Sequence, residues 1–243
     1  MVRNRSTRPI SRQVSETVFE SFSEETFERV LDSFPGLRRR VETVLDGETV
    51  RRRTGLPFSN PGSTPFYHQW ITTGYYKTMI YRYLIPLSEI NNKTVVDVGC
   101  GLAWGAYLLG GYCRRLIAAD ISSARLSVAA RAWDFPAATH LLACDGRLLG
   151  LADNSVDVVL SMEVLEHLIS GEGKNFLQEI HRVLKEDGHL FLSSSFPPTK
   201  EAAYDLISDD HPFIWTADLI QSFLGNIFSS VEIHDNWYLI ARK

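Results

Sequence analysis

The sequence predicts an α/β fold, a doubly wound and mostly parallel sheet with one antiparallel terminal strand, preceded by a helical extension. Three observations carry this reading. From Lys93 onward, short β-branched runs alternate with segments of helical periodicity, the pattern of a parallel sheet with helices on both faces. The stretch Thr94 to Gly105, TVVDVGCGLAWG, passes from an apolar run into a glycine turn and then a helix-compatible segment. The chain closes on two apolar runs, Phe228 to Ile233 and Trp237 to Ala241, joined at His234-Asp235-Asn236. Two strands joined so tightly must run antiparallel, so one terminal strand opposes the rest.

Residues 1–92 are read as an N-terminal helical extension and residues 93–243 as the main domain. Phe19, Phe22, Phe27, Val30 and Leu31 recur at near-helical spacing and predict a helix over 16–32, stopped by Phe34-Pro35-Gly36. Val41, Val44 and Leu45 predict another, closed by Asp46-Gly47. Residues 54–65 carry three prolines and read as a loop. Residues 66–90 are aromatic-rich and read as helical up to Ile85. Strands follow at Val95–Val98, Leu116–Asp120, Thr139–Cys144, Val156–Met162 and His189–Ser194. Ser122 is expected to cap a helix reaching Ala132, and Thr216 one ending at Gly225. Phe176, Leu177, Ile180, Val183 and Leu184 form one helical stripe, stopped by Lys185-Glu186-Asp187-Gly188.

Composition narrows the classes. A chain of 243 residues holds one sizeable core. No apolar run approaches the roughly 18–20 residues of a membrane span. The basic N-terminus has no apolar segment behind it, so no secretory signal is read. Three cysteines without metal spacing suit a reducing, cytoplasmic setting. The net charge is −4, and residues 1–60 hold eleven Lys/Arg against nine Asp/Glu, so the acidic balance falls on the main domain. That argues against binding a phosphate backbone.

A strand, a glycine turn and a helix place backbone N–H groups at the carboxyl edge of a sheet, where a nucleotide-type ligand can approach. A dinucleotide fingerprint needs a third glycine for close helix–strand packing; Trp104 stands there instead. Asp97, Gly99 and Gly101, with Ala103 in the last place, instead fit Asp-x-Gly-x-Gly-x-Gly. This resembles motif I of the class I S-adenosylmethionine-dependent methyltransferases.

Asp120 ends the second strand, nineteen residues after Gly101. A carboxylate there can accept both ribose hydroxyls of an adenosine, and Ile121 can lie against the adenine. The alternative is a helix-capping aspartate. Cys144-Asp145-Gly146 ends the third strand; Asp145 can accept from the adenine amine with Gly146 leaving room, or be a turn aspartate. The stretches NSVDVVLSMEVLEHL (154–168) and FLQEIHRVLKEDGHLFLSS (176–194) resemble the branch that includes the ubiquinone and menaquinone methyltransferases and many sugar and natural-product enzymes. The resemblance covers about residues 93–195. It implies a Rossmann-like seven-stranded sheet of order 3-2-1-4-5-7-6 with strand 7 antiparallel. It also implies S-adenosyl-L-methionine as cofactor, S-adenosyl-L-homocysteine as product, and Asp97, Gly99, Cys100, Gly101, Asp120, Ile121, Asp145, Gly146, Ser161 and Met162 as cofactor-binding residues. Ala103 departs from the family's glycine by one methyl.

Ser161, Met162 and Glu163 leave the fourth strand where the methyl group is expected. Glu163, Glu166 and His167 are then read as sharing one helical face at i, i+3 and i+4. His167 is a candidate general base; the three could instead hold a divalent metal, or Glu166 and His167 could be a packing pair, and the reading adopted takes no metal. His211, beside Asp209, Asp210 and Trp215, is the second candidate base. Tyr67, Trp70, Tyr75 and Tyr76, with His68, Tyr81 and Tyr83, form an aromatic cluster expected to act as a lid and to line the acceptor side. Arg38–Arg40 and Arg51–Arg53 could grip an anionic acceptor or be solvated. The function expected is methyl transfer to an oxygen or nitrogen of a small-molecule acceptor. The rivals are a tRNA or protein methyltransferase, a non-catalytic S-adenosylmethionine-binding module, and a nicotinamide oxidoreductase.

Overall fold

Val95, Val96 and Val98 are almost fully buried, and the strand they form, β1 (Thr94–Val98), lies in the middle of the sheet. The structure, a computed structural model of the chain, describes residues 23–34, 36–46, 49, 52–53 and 75–243. Ahead of β1 come helices α1 (Glu24–Ser33), α2 (Leu37–Leu45), α3 (Tyr75–Leu84) and α4 (Leu87–Ile90). After it run α5 (Trp104–Leu109), β2 (Arg115–Asp120), α6 (Ser123–Ala132), β3 (Thr139–Ala143), β4 (Val156–Met162), α7 (Ser170–Val183) and β5 (Leu184–Ser193). The chain ends with α8 (Lys200–Tyr204), α9 (Ala217–Leu224), β6 (Ser230–His234) and β7 (Tyr238–Arg242).

The seven strands lie in the order β3-β2-β1-β4-β5-β7-β6. β3, β2, β1, β4 and β5 pair in parallel, and β7 runs antiparallel to both its neighbours. This is the topology expected. Its register aligns the carboxyl ends: Val98 faces Ala119, and Met162 faces Ser193. The loops that follow β1, β2, β4 and β5 therefore open on one edge. In such sheets ligands bind outside that edge, where the strand order reverses.

Alternation along the strands splits the core into two layers. Val95, Leu116, Ala118, Val158, Leu160 and Phe191 face one side, with α5, α6 and the helices of the extension. Val96, Val98, Val159, Leu190 and Leu192 face the other, with α7 and α9. The extension contributes Phe27, Leu37, Val41, Ile80, Leu84 and Ile90 to the first layer, each at most 1% exposed. Burying such a side chain stabilises the fold by roughly 1.5–3 kcal/mol. The extension thus furnishes much of the cover on one face, although no strand comes from its described residues. Arg40 ties α2 down further, donating to the carbonyls of Tyr107 and Leu108 at 3.1 and 3.2 Å.

The expected caps are present: Ser122 accepts from the Arg125 N–H and Thr216 from that of Leu219. Ser23 caps α1 likewise. Residues 16–22 of the expected first helix lie outside the described residues. So do residues 66–74, which belong to the segment read as helical up to Ile85. That segment is described only as α3, and Pro86 begins the short helix α4.

Two expectations are corrected. Leu184 already pairs with Val156, and His189 with Val158, so β5 begins earlier and bulges across Lys185 to Gly188. The second correction concerns Glu163, Glu166 and His167, which do not share a helical face. Glu163 sits in the left-handed region at φ 56°, a single 3₁₀ turn covers Leu165–His167, and α7 starts only at Ser170. A left-handed residue redirects the chain and cancels the helical offset. Among the described residues no helix is long and apolar enough to cross a membrane.

Candidate functional site

The turn after β1 is built by three residues with positive φ: Gly99 at 75°, Gly101 at 57° and Ala103 at 53°. A Cβ on Gly99 would stand 2.4 Å from Cγ2 of Val164, so glycine is required by space as well as by conformation. The backbone N–H groups expected to face a ligand are already engaged. Those of Gly99 and Cys100 donate to the Ala119 carbonyl at 2.8 and 3.0 Å, and that of Gly101 to Oδ2 of Asp120 at 2.8 Å. The turn is thus bolted to β2. Ala103 is fully buried and precedes α5 in the left-handed conformation that the family's glycine would adopt without strain. Trp104 packs edge-on to Tyr83, with ring centroids 4.7 Å apart. The close approach is supplied one residue later, where a Cβ on Gly105 would lie 2.3 Å from Cε1 of Tyr83.

Asp97 is fully buried under this turn. The Tyr83 hydroxyl donates to its Oδ1 at 3.2 Å, while Oδ2 has no hydrogen-bond partner among the described residues. Burial pushes its carboxyl up to about 7, with the Tyr83 hydrogen bond opposing and the charge of Asp120 adding. A buried acceptor of this kind suits a ligand that brings a donor or a positive charge, as the amino group of S-adenosylmethionine does.

Beside the turn, a cleft of about 510 Å³ opens at the carboxyl edge, within the range of small-ligand sites. Gly99, Asp120, Ile121, Asp145 and Gly146 line it, as do Glu163, His167 and Asp210. Folding therefore collects these expected cofactor residues from three strand ends. Asp120 is 4% exposed; besides Gly101 it accepts from the Ser122 N–H at 2.8 Å. Ile121, at 72% exposure, offers a bare apolar face to a flat ring. A Cβ on Gly146 would meet Phe176 and Val98 within 2.9 Å, so the glycine lets β3 close on the cleft floor. Asp145 is held by Arg147, whose Nε lies 3.0 Å from both carboxylate oxygens and which also pairs with Glu172. That guanidinium holds the Asp145 carboxyl below its usual value. Asp97, Cys100, Gly101, Ser161 and Met162 are not among the residues that line the cleft; Ser161 and Met162 are buried. A second cleft, about 490 Å³, lies at the opposite edge beside Thr94, Arg115 and Val156, away from every residue of the turn.

Glu163 is gripped between elements. Arg82 of α3 donates to its Oε1 at 2.8 Å, and the Ser193 hydroxyl to the same oxygen at 2.7 Å. The Arg82 guanidinium also lies 5.3 Å from the Trp237 ring. Glu166 is 5% exposed and accepts from the Ser194 hydroxyl at 2.8 Å. Burial, and then the neighbouring Glu163, push its carboxyl upward. His167 is exposed, with Nδ1 2.7 Å from the carbonyl oxygen of Asp210. His211 packs on it with ring centroids 5.0 Å apart. Burial pushes the His211 imidazole downward, and His167 adds to this. The two candidate bases, 44 residues apart in sequence, thus meet at one place.

Tyr67 and Trp70 lie outside the described residues, as do the side chains of Tyr75 and Tyr76. Sequence reasoning missed Arg82, Arg125, Arg147 and Glu172. Arg147 and Glu172 carried no motif, and Arg82 looked like one polar residue in an aromatic helix.

With this geometry in place, comparison with known proteins gives the class. Residues 96–192 match the family described as "Methyltransferase domain". A protein of Mycobacterium tuberculosis, named a probable S-adenosylmethionine-dependent methyltransferase, is 30% identical over 151 residues, 60% of this chain and 51% of that one. A malonyl-[acyl-carrier protein] O-methyltransferase of a Marinomonas species is 28% identical over 168 residues, 63% of this chain and 60% of that one. The chain thus spans about half to three fifths of the length of these curated relatives. In fold it is similar to a SAM-dependent methyltransferase from Archaeoglobus fulgidus, at a TM-score of 0.58 and 16% identity, over 73% of this chain and 99% of that one. Residues 96–192 thus match a methyltransferase domain, and the chain is similar to S-adenosylmethionine-dependent methyltransferases in sequence and in fold. S-adenosylmethionine is the cofactor of this class and S-adenosylhomocysteine its product.

Proposed function

We propose that this chain is a methyltransferase that moves the methyl group of S-adenosylmethionine to an oxygen or nitrogen of a small-molecule acceptor. The observation that carries the reading is that one cleft is lined both by Gly99, Asp120, Ile121, Asp145 and Gly146 and by Glu163, His167 and Asp210. The cofactor supplies an electrophilic methyl carried on a sulfonium. Asp120 would hold the ribose, Asp145 and Ile121 the adenine, and Asp97 the methionine end. The residues after β4 would face the acceptor, with His167 and His211 promoting the loss of its proton. Transfer needs the nucleophile held in line and its proton removed, and little else. The relative named as an O-methyltransferase supports an oxygen acceptor. The aromatic segment before α3 would form the lid over the acceptor side.

The test is calorimetric titration with S-adenosylhomocysteine, NAD and NADP, followed by an acceptor panel scored by S-adenosylhomocysteine release. Binding of the first alone, with turnover on an alcohol, acid or amine, is the expected result. Tight NAD binding without S-adenosylhomocysteine binding would overturn it. A macromolecular acceptor is the second reading, favoured by Arg38–Arg40 and Arg51–Arg53. Arg38 is already paired with Glu28 and Asp32, which weakens it. Salt-sensitive retention of tRNA would restore it.

A further inference from the structure

Glu166, His167 and His211 each offer a ligating atom, and these atoms lie within 4.8 Å of one another. We propose that the three side chains form a site for one divalent cation of the transition series at the acceptor end of the cleft, and that the cation takes an oxygen of the acceptor. The site stands on its own geometry, while its role in catalysis rests on the methyltransferase reading above.

The donor set decides the kind of ion. Two imidazoles and one carboxylate suit manganese, iron, cobalt or zinc; magnesium and calcium favour shells of oxygen alone. The orientation of His167 supports the same conclusion. A carbonyl oxygen can only accept, so the 2.7 Å contact to Asp210 places the proton on Nδ1 and leaves the lone pair on Nε2. Metal-binding histidines are held in this way, by a carbonyl or carboxylate on the far nitrogen. The Ser194 hydroxyl steadies the Glu166 carboxylate in the same sense, at 2.8 Å. The His211 loop is also pre-set, because Ser208 and His211 exchange both backbone hydrogen bonds at 3.1 Å.

Three protein ligands leave coordination positions open, the arrangement of a catalytic rather than a structural site. His167 and Asp210 line the cleft, so the open side faces the acceptor. A coordinated hydroxyl has a lowered pKa. Its proton leaves to water, and its oxygen lone pair forms the new C–O bond. The methyl C–S bond breaks, its electron pair returns to sulfur, and the sulfonium becomes the neutral thioether of S-adenosylhomocysteine. The acceptor class narrows to alcohols, phenols or acids. An amine would gain nothing from such a site.

The experiment starts from protein dialysed against a chelator. It is titrated with Mn²⁺, free ion being read by electron paramagnetic resonance, and separately with S-adenosylhomocysteine by calorimetry. The wild-type chain is expected to take up one ion. His167→Ala, His211→Ala and Glu166→Gln are each expected to weaken that binding tenfold or more. His140→Ala, on β3, is expected to leave it unchanged. S-adenosylhomocysteine affinity is expected to stay within twofold throughout, which shows that the variants are folded. Absence of a saturable site in the wild-type chain would overturn the proposal, as would a site that survives in the double variant His167→Ala/His211→Ala. Failure to bind S-adenosylhomocysteine would count against the methyltransferase reading and leave the metal result standing.

Discussion

The hydroxyl of Tyr83 donates a 3.2 Å hydrogen bond to Oδ1 of Asp97, joining α3 of the extension to the last residues of β1 at a fully buried point. Gly105 makes room for that ring. The helical extension and the cofactor turn are therefore mechanically one piece at this contact. Tyr83→Phe removes the donor and leaves a buried carboxylate oxygen without it. The expected loss is about 1–3 kcal/mol of stability, the usual cost of an orphaned buried acceptor. Urea unfolding of the two proteins measures it; equal midpoints would show that the contact contributes nothing.

Asp97 also sets a pH dependence. An unfolded aspartate titrates near 3.8, and burial lifts the folded value to about 7. Between about pH 4 and pH 7 the folded chain keeps a proton that the unfolded chain has released. Stability is then fully present below the unfolded value and falls as pH rises through the window, by up to about 1.4 kcal/mol per pH unit. Asp97→Asn should flatten this part of the curve. Denaturation of both proteins across the window isolates the effect, and identical slopes would remove the assignment.

Asp120 has two tasks, and one substitution touches both. Asp120→Ala releases the Gly101 and Ser122 N–H groups and removes the proposed ribose acceptor. S-adenosylhomocysteine binding should weaken by roughly 1.5–3 kcal/mol, the range for hydrogen bonds to a charged group. Calorimetry on a variant shown to be folded gives the answer. An unchanged dissociation constant would leave Asp120 with the turn alone.

A chain starting at Ile85 should fail to fold stably, because it lacks Phe27, Leu37, Val41, Ile80 and Leu84 from the core. Deletion therefore cannot test the lid, and exchange can. Amide hydrogen exchange over residues 16–85 should slow when S-adenosylhomocysteine binds, most around Tyr67 to Tyr76. Protection indifferent to ligand would move the acceptor pocket to residues 195–215. Circular dichroism of the shortened chain checks the first half: a native-like spectrum with a sharp thermal transition would contradict it.

Much of this protein was legible in its sequence. The strand–turn–helix at Thr94 to Gly105, the caps at Ser122 and Thr216, and the antiparallel final hairpin are each signalled by residues close together in the chain. Local periodicity, glycine chemistry and spacing therefore determine them. Other features depended on packing between distant segments. Arg82 meets Glu163 across 81 residues, Tyr83 reaches Asp97, and His211 comes to rest against His167. The reading of Glu163, Glu166 and His167 as one helical face failed for the same reason. Glu163 turns left-handed where Arg82 and Ser193 hold its carboxylate, and that grip comes from elements no local pattern connects. The sequence by itself determined the strand order and the glycine turn after β1, because those are built from short-range signals repeated strand after strand. Only the tertiary structure decided the cluster of Arg82, Glu163, Glu166, His167 and His211, because these groups come together only when α3, the turn after β4 and the loop after α8 converge on one edge of the sheet.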